Sequence, residues 1–195
     1  MFDNYSTIKP SGGKFLDDTL PALINRVSAE IAALPDEEMS VMNDKEYAAS
    51  LLEKYALDFP VIDIESVTIS SVERDIPARQ FPSLFTKLAG KSYKRNVITY
   101  HIPYKGDIDI LQFKPYPFIH HGYYSCRVDR KANCFIVELV DFNNDPKEVQ
   151  KAFDDKLRGF LKVYDILKKN CAGFNNSLKV YIKCAVAVKR TKIAI

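Results

Sequence analysis

Residues 145–195 have the sequence DPKEVQKAFDDKLRGFLKVYDILKKNCAGFNNSLKVYIKCAVAVKRTKIAI, and this stretch decides the predicted fold. Apolar or aromatic side chains recur along it at alternating spacings of four and three residues, the rhythm of a heptad repeat on one helix. This apolar seam has eleven positions: Phe153, Leu157, Phe160, Tyr164, Leu167, Cys171, Phe174, Leu178, Tyr181, Ala185 and Val188.

The predicted helix has a marked start and no marked end. Asp145 offers an N-cap, Pro146 suits the first helical position, and Glu148 is placed to complete a capping box. No glycine closes the other end. We therefore expect the helix either to run to the terminus or to continue in a longer parent chain.

Two predictions compete for the middle of this stretch: one unbroken helix, or a helical hairpin that turns at 170–173. The four–three spacing passes through Cys171 and Phe174 without a phase slip, which favours the single helix. Gly173 costs that helix about 1 kcal/mol but does not forbid it.

The rest of the chain predicts an α+β domain over 1–144. Two amphipathic helices come first, at 16–34 and 44–57, after an irregular lead-in over 1–14, and Asn43 or Asp44 is the expected N-cap of the second. Alternating and β-branched stretches then predict an antiparallel sheet of four or five strands. The predicted strands are 61–72, 96–103, and a hairpin of 123–129 and 134–142, with 108–113 as a short strand or an extended run and 73–95 as a mobile loop.

We expect the first part of the long helix, 145–195, to pack across one face of this sheet. Because a helix rises about 1.5 Å per residue, its full length exceeds what a domain of this size covers, and the distal half is expected to project. The apolar seam would then face a second copy, so a homodimer with coiled-coil character is predicted. The seam residues assigned to this contact are Phe160, Tyr164, Leu167, Phe174, Leu178 and Tyr181.

The net charge of +3 conceals a steep gradient along the chain. Residues 1–75 carry 15 acidic and 6 basic side chains, whereas 156–195 carry one acidic side chain, Asp165, and 10 basic ones. Bases with so few acidic neighbours predict a surface for a polyanion or an acidic partner. An ordinary solvated face and internal pairing with the acidic N-terminal segment are the alternatives. The residues assigned to this surface are Lys168, Lys169, Lys179, Lys183, Lys189 and Arg190.

Side chains suited to metal or acid–base chemistry are few. His120 and His121 are adjacent, so on a strand they point to opposite faces, and no second ligand pair stands at a standard zinc spacing. Asp107 and Asp109 follow a glycine and resemble a carboxylate pair for a divalent metal. Turn and surface roles are favoured, so no metal, cofactor or catalytic residue is predicted. His101 and two cysteines lie near these histidines in the sequence, and Glu138 with Lys131, or Asp129, would complete a nuclease site around the aspartate pair.

Other functional classes leave no sequence signal. The chain has no phosphate-binding loop, no dinucleotide fingerprint, no nucleophile elbow and no H-E-x-x-H, so catalysis is not predicted. Four cysteines without a C-x-x-C pair predict buried free thiols. No basic patch followed by an apolar run opens the chain, and no apolar stretch approaches 18 residues, so a cytoplasmic protein without membrane contact is predicted.

A run of aromatic side chains offers a stacking surface for bases or for a partner's side chains, with core packing as the alternative. The aromatics are Phe113, Tyr116, Phe118, Tyr123 and Tyr124, interleaved with Lys114 and Arg127.

Three stretches resemble a family of poorly characterised bacterial proteins. They are HIPYKGD at 101–107, FKPYPF at 113–118, and the set of Asn170, FNNSL at 174–178 and Lys189-Arg190. That family combines a strand ending in I-P-[FY]-x-G-D, an aromatic-proline segment and a long helix with N-x-x-x-F-N-x-S-L and a basic end. The resemblance implies an N-terminal module ahead of other domains, in some members within defence-associated loci, that positions or senses rather than reacts. It carries over no catalytic residue.

The sequence thus predicts a non-catalytic interaction module, a sensor or scaffold, that self-associates or docks a partner or a fused domain through its long helix. A nucleic-acid-binding module that uses the basic face is the alternative. A metal-dependent nuclease built from Asp107, Asp109 and His120 or His121 is the second alternative.

Overall fold

The computed structural model describes residues 5–8, 13–83, 85, 90–117 and 126–193. Its class is α+β, as predicted, with an antiparallel sheet, N-terminal helices and one long C-terminal helix. The chain divides into two compact units, and the boundary within the C-terminal helix falls between Lys162 and Val163. The long helix therefore contributes to both units. The first unit comprises Met1–Lys9, Pro60–Ile108 and His121–Lys162, and the second comprises Pro10–Phe59, Asp109–His120 and Val163–Ile195.

The first unit contains a six-stranded sheet in which every described pairing is antiparallel. The strands are β1 (Tyr5–Ile8), β2 (Val61–Ile62), β3 (Thr68–Pro77), β4 (Ser92–Lys105), β5 (Cys126–Asp129) and β6 (Cys134–Val140). Their order across the sheet is β1, β5, β6, β4, and β4 then pairs on its other side with both β2 and β3.

One face of this sheet packs against the beginning of the long helix, α4 (Pro146–Ile193). Tyr100 of β4 stacks on Phe153, with ring centroids 3.8 Å apart and 8° between the ring planes. Phe135 of β6 meets Phe160 edge-on at 5.3 Å. Because alternate residues of a strand share a face, Ile102 and Tyr104 lie on the Tyr100 side and are also buried.

The opposite face carries a second apolar cluster, formed by Ile76, Phe81 and Val97 with the partly buried Phe85 and Phe142. The expected mobile loop over 73–95 is wrong for much of its length. β3 continues to Pro77, a 3-10 helix spans Ala78–Gln80, and β4 begins at Ser92. Phe81 is only 8% exposed because it packs on the sheet. Residues 84 and 86–89 lie outside the described residues.

Three other strand predictions need correction. The lead-in contains β1, which pairs with β5 over four residues. The predicted strand 61–72 is two strands, separated by a turn in which the Asp63 carboxylate accepts the backbone N–H of Glu65 and Ser66. The segment 108–113 is a 3-10 helix, Ile108–Gln112, rather than a strand.

The second unit contains the N-terminal helices and the distal part of α4. A 3-10 turn, Leu16–Thr19, leads into α1 (Leu20–Ala33), and α3 (Asp44–Tyr55) corresponds to the second predicted helix. Asn43 caps α3 as predicted, since its side chain accepts the N–H of Lys45 and Glu46. The short helix α2 (Asp36–Val41) was not predicted.

The distal half of α4 packs against these helices and does not project from them. Leu178 and Ile182 are fully buried in a cluster with Val27 and Ile31 of α1 and Leu51 of α3. α4 is unbroken through 170–173, so the helical hairpin is wrong.

The buried side of α4 departs from the heptad seam after Leu178. Beyond it the buried positions are Ile182 and Val186, spaced by four, whereas the seam position Val188 is 55% exposed. A straight helix has 3.6 residues per turn, so a strict 3.5-residue pattern rotates by about 20° per heptad relative to its packing face. The coiled-coil register therefore describes only the earlier part of the helix.

The start of α4 also differs in detail from the expected capping box. Asp145 accepts the N–H of Lys147 at 2.9 Å, as an N-cap should. Glu148, however, accepts from the Asn143 side chain, and the Asp145 N–H donates to the buried carboxylate of Asp141. Asp141 thus accepts the N-cap N–H that Glu148 was expected to accept.

Two asparagines of α4 hold irregular backbone in the second unit. Asn175 accepts the Leu57 N–H at 2.9 Å and donates to the Leu57 carbonyl at 3.0 Å. Asn170 makes the same pair of bonds with Tyr116, both at 2.8 Å. Each amide satisfies a backbone donor and acceptor that have no helix or strand partner.

We predict that Asn175→Ala lowers the free energy of unfolding by about 1–3 kcal/mol, because it leaves the half-buried Leu57 N–H unpaired and leaves the Leu57 carbonyl only the weak, 3.8 Å contact with the Cys171 thiol. Urea denaturation measures the change. Asn176→Ala is the matched control, since Asn176 is exposed on the same helix turn. Equal midpoints for the two variants would contradict the structural role of Asn175.

Candidate interaction surface on the long helix

The six seam residues assigned to a second copy lie inside the chain. Phe160, Tyr164, Leu167, Phe174 and Leu178 are each at most 8% exposed. Tyr181 is half-buried, and its hydroxyl bonds the hydroxyl of Ser28 on α1. The assignment therefore fails for a physical reason: the sheet and the N-terminal helices already cover these side chains within their own units.

Two of the six assigned bases also serve the fold. The Lys189 ammonium bonds the carbonyl oxygens of Ala32 and Leu34 at the end of α1, and lies 3.7 Å from the Asp36 carboxylate. A cation suits this position, because the last carbonyls of a helix have no intrahelical donors and carry partial negative charge.

Arg190 binds the residues at the start of α3. Its guanidinium donates to the Asp44 carboxylate, at 2.9 Å from Nε, and to the Met42 carbonyl. Lys189 and Arg190 are therefore paired internally with the acidic N-terminal segment, which was one alternative for the basic residues.

We predict that Lys189→Ala and Arg190→Ala each lower the free energy of unfolding by about 1–3 kcal/mol, because each leaves partly buried carbonyls without a charged donor. Lys183→Ala on the same helix is the control and should change it by less than about 0.5 kcal/mol. Chemical denaturation of the three variants tests this, and an Lys183 effect as large as the Arg190 effect would refute it.

The other four assigned bases are exposed on α4: Lys168, Lys169, Lys179 and Lys183. None of the four forms an ion pair with any acidic residue in the described ranges. Lys179 and Lys183 are one helical turn apart, so their ammonium groups act on the same patch of surface.

A groove of about 560 Å³ runs between α3 and α4 beside these two lysines. Its floor consists of small or apolar side chains, and Lys45, Lys179 and Lys183 stand along it. Among the described residues that line the groove, Asp44 is the acidic one, and it is paired with Arg190. The groove thus joins an apolar floor to three exposed ammonium groups. The floor residues are Ala48, Ala49, Leu52, Val186 and Ala187. Sequence reasoning missed this groove because its floor comes from two helices far apart in the sequence.

A second groove, of about 680 Å³, lies between α1 and α4. Asp36, Lys189 and Lys192 line it together with Ala32 and Val188. Both charge signs are present, and Asp36 lies near Lys189, so this groove has no preference for one sign of partner.

The candidate acids do not assemble into a metal centre. Asp129 accepts the N–H of Lys131 and Ala132 in the β5–β6 turn, and Glu138 pairs with Arg74 and Arg127 across the sheet. Asp109 accepts from Gln112. Within the part of the chain that the structure describes, no three histidine, cysteine or acidic side chains are grouped as metal ligands.

The histidine and aromatic candidates are only partly described. His101 lies 3.4 Å from the Ser70 hydroxyl on neighbouring strands. Tyr116 is 70% exposed and meets Phe15 edge-on at 6.3 Å. Phe113 packs against the buried cluster of Leu16, Cys171 and Phe174, so this aromatic belongs to the core. His120, His121, Phe118, Tyr123 and Tyr124 lie outside the described residues.

The cysteines differ in environment, and the expectation of buried thiols holds for Cys171 alone among those whose side chains are described. Cys184 is exposed, and Cys134 is half-buried. Burial, with a smaller contribution from the negative charge of Asp58, raises the pKa of Cys171 to about 11. The neutral thiol is thus favoured in the fold, a contribution to stability that is present below pH 9 and lost as pH rises towards 11.

We predict that iodoacetamide at pH 8 labels Cys184 at least tenfold faster than Cys171. At that pH only about one Cys171 side chain in a thousand is the reactive thiolate, and the fold also blocks access to it. Site-resolved mass spectrometry measures both rates, and unfolding in urea should equalise them. Equal rates in the folded protein would contradict the burial of Cys171.

Comparisons with known proteins add no assignment: no family model, no curated protein and no solved structure matches this chain. The resemblance to the bacterial family stays a prediction. Within the described ranges, none of the helices combines the length and apolar character that crossing a bilayer requires.

Proposed function

We propose that this chain is a non-catalytic interaction module that docks an acidic segment of a partner protein on α4, in the groove between α3 and α4. The proposal depends on one observation: no acidic residue in the described ranges pairs with Lys45, Lys179 or Lys183, and the acidic side chain among the described groove residues, Asp44, is paired with Arg190. The predicted role as a sensor or scaffold is kept, but the predicted mode of contact through the apolar seam is replaced.

The groove favours an amphipathic helix as the docked segment. Ala48, Ala49 and Ala187 project little, so the backbone of a bound helix can approach closely, while the half-buried Leu52 supplies apolar contact. Glutamates spaced by four residues on the bound helix would meet Lys179 and Lys183, which have the same spacing.

The binding role agrees with what the candidate acids do. Asp129 closes a turn, and Glu138 joins three strands through two arginines. Each of these carboxylates has a structural duty that accounts for its presence without catalysis.

We predict that a synthetic helical peptide with leucines on one face and glutamates at i and i+4 binds the protein, as measured by fluorescence anisotropy. Ala187→Glu, which places a carboxylate on the groove floor, should weaken binding at least tenfold. Lys179→Ser with Lys183→Ser should weaken it about threefold to tenfold, since each exposed pair contributes up to about 1 kcal/mol.

The matched control is Ala172→Glu, which adds the same charge to an exposed alanine of α4 that does not line the groove. Binding that falls equally in Ala172→Glu and Ala187→Glu would mean that only net charge matters, and the groove proposal would be wrong. A peptide with lysine in place of glutamate should not bind.

Nucleic acid is the second candidate, favoured by the four exposed lysines that pair with no acidic residue in the described part of the chain: Lys168, Lys169, Lys179 and Lys183. Phosphate contacts would make the logarithm of affinity fall with the logarithm of salt by about 0.9 per B-DNA phosphate neutralised. Gel shifts of the wild type and a variant with all four lysines changed to serine separate the candidates. Duplex binding with a slope that flattens in this variant, together with no effect of Ala187→Glu, would favour nucleic acid. Lys189 and Arg190 are left unchanged because they hold the fold.

A further inference from the structure

β3 forms an edge of the sheet and is unusually open. It pairs with β4 over ten residues, from Thr68 opposite His101 to Pro77 opposite Ser92. No other strand in the described ranges pairs with β3. Its outer row of backbone N–H and C=O groups is therefore a template for another strand.

The side chains of β3 are as open as its backbone edge. The first eight residues, from Thr68 to Asp75, are all exposed. Ile69 is 60% exposed and Val72 is 46% exposed. These two residues are three apart, so they lie on opposite faces, and an apolar side chain meets water on each face of the strand.

Edge strands of monomeric proteins are usually protected by shortness, by charged side chains, by proline or by a bulge. β3 is ten residues long, its charged side chains are confined to Glu73, Arg74 and Asp75, and its only proline, Pro77, is its last residue. Its first five residues, Thr68 to Val72, are uncharged, and three of them are β-branched, a composition that favours strand pairing.

We propose that β3 pairs antiparallel with β3 of a second copy of the chain, with Val72 on the two-fold axis. A two-fold axis perpendicular to the sheet must pass midway between two copies of the same residue, because directly opposed side chains lie on the same face of both strands. The nine residues Thr68 to Ile76 are centred on Val72, so this register pairs nearly the whole strand.

The charges of β3 are compatible with this register and disfavour a register centred on a charged residue. An axis through Glu73 or Arg74 would place each of these charges opposite its own copy, which is unfavourable. With Val72 on the axis, Glu73 faces Ser71 and Arg74 faces Ser70 of the second copy, so no like charges are directly opposed. Ile69 faces Asp75 near the ends of the pairing, where both side chains remain open to water.

The charged residues of β3 are also stabilised within their own sheet. Arg74 pairs with Glu138 at 3.1 Å, and Glu73 lies 3.4 Å from the Lys94 ammonium. A second copy can therefore add uncharged serines opposite them without leaving a charge unpaired. The contact gains backbone hydrogen bonds and a Val72–Val72 pair.

Sedimentation velocity tests the proposal directly. The wild type should form a species of twice 22.2 kDa, and Val72→Lys should raise the dimer dissociation constant at least tenfold by placing two ammonium groups opposite each other. Val180→Lys is the matched control, since Val180 is a 56% exposed valine of α4. Circular dichroism checks that each variant is folded. A monomeric wild type, or a dimer unaffected by Val72→Lys, would overturn the proposal.

A cysteine at the axis provides a second measurement. In a background with Cys134 and Cys184 changed to serine, Val72→Cys should give an intermolecular disulfide on mild oxidation, because directly opposed residues have Cα atoms within disulfide range. Ile69→Cys should not, since the two copies of residue 69 would lie about 20 Å apart. Cross-linking that is equal for both variants would overturn the register. Neither variant changes the α3–α4 groove, so failure here leaves the proposed function untouched.

Discussion

Between Val149 and Val186, α4 turns a large apolar side chain away from water at nearly every turn, and each compact unit builds its core on that side. In the first unit the rings of Phe153 and Phe160 meet Tyr100 and Phe135. In the second, Leu178, Ile182 and Val186 enter the cluster of the N-terminal helices. Burial of such side chains is worth about 1.5–3 kcal/mol each, so the helix contributes a large part of the stability of both units. The large side chains of the apolar seam are thereby used within the chain, and a partner would meet the exposed residues of α4 instead.

The second constraint is polar. Leu57 follows the end of α3, and Tyr116 precedes a proline, so neither backbone segment finds a partner in a helix or sheet. The amides of Asn175 and Asn170 supply both a donor and an acceptor to each. With Phe174 and Leu178 buried beside them, the asparagine-rich motif of α4 has a structural explanation in this chain. The two asparagines therefore stabilise the fold by holding irregular backbone in place.

The sequence predicted the parts of the fold that depend on local pattern. The start of α4 near Pro146 follows from proline and acid placement, the β5–β6 hairpin from alternation around a turn, and the Asn43 cap from side-chain chemistry. What failed depends on contacts between distant residues. β1 is four residues long and gains its stability from β5, and the drift of the buried side from Tyr181 to Ile182 depends on what packs there. Composition likewise indicated a basic surface, but only the fold separates Lys183, which is exposed, from Lys189, which closes the end of α1.

That separation decides what kind of partner the surface suits. Asp36 and Asp44 of the acidic N-terminal segment pair with Lys189 and Arg190 at the end of the basic helix. Because Asp44 also lines the α3–α4 groove, its pairing with Arg190 neutralises its negative charge there. Internal pairing therefore leaves the groove with a positive charge from its exposed lysines. A nucleic-acid backbone would use the lysines and leave Leu52 and the alanine floor without contacts. An acidic amphipathic helix would use both, since its glutamates meet the ammonium groups while its apolar side covers the floor.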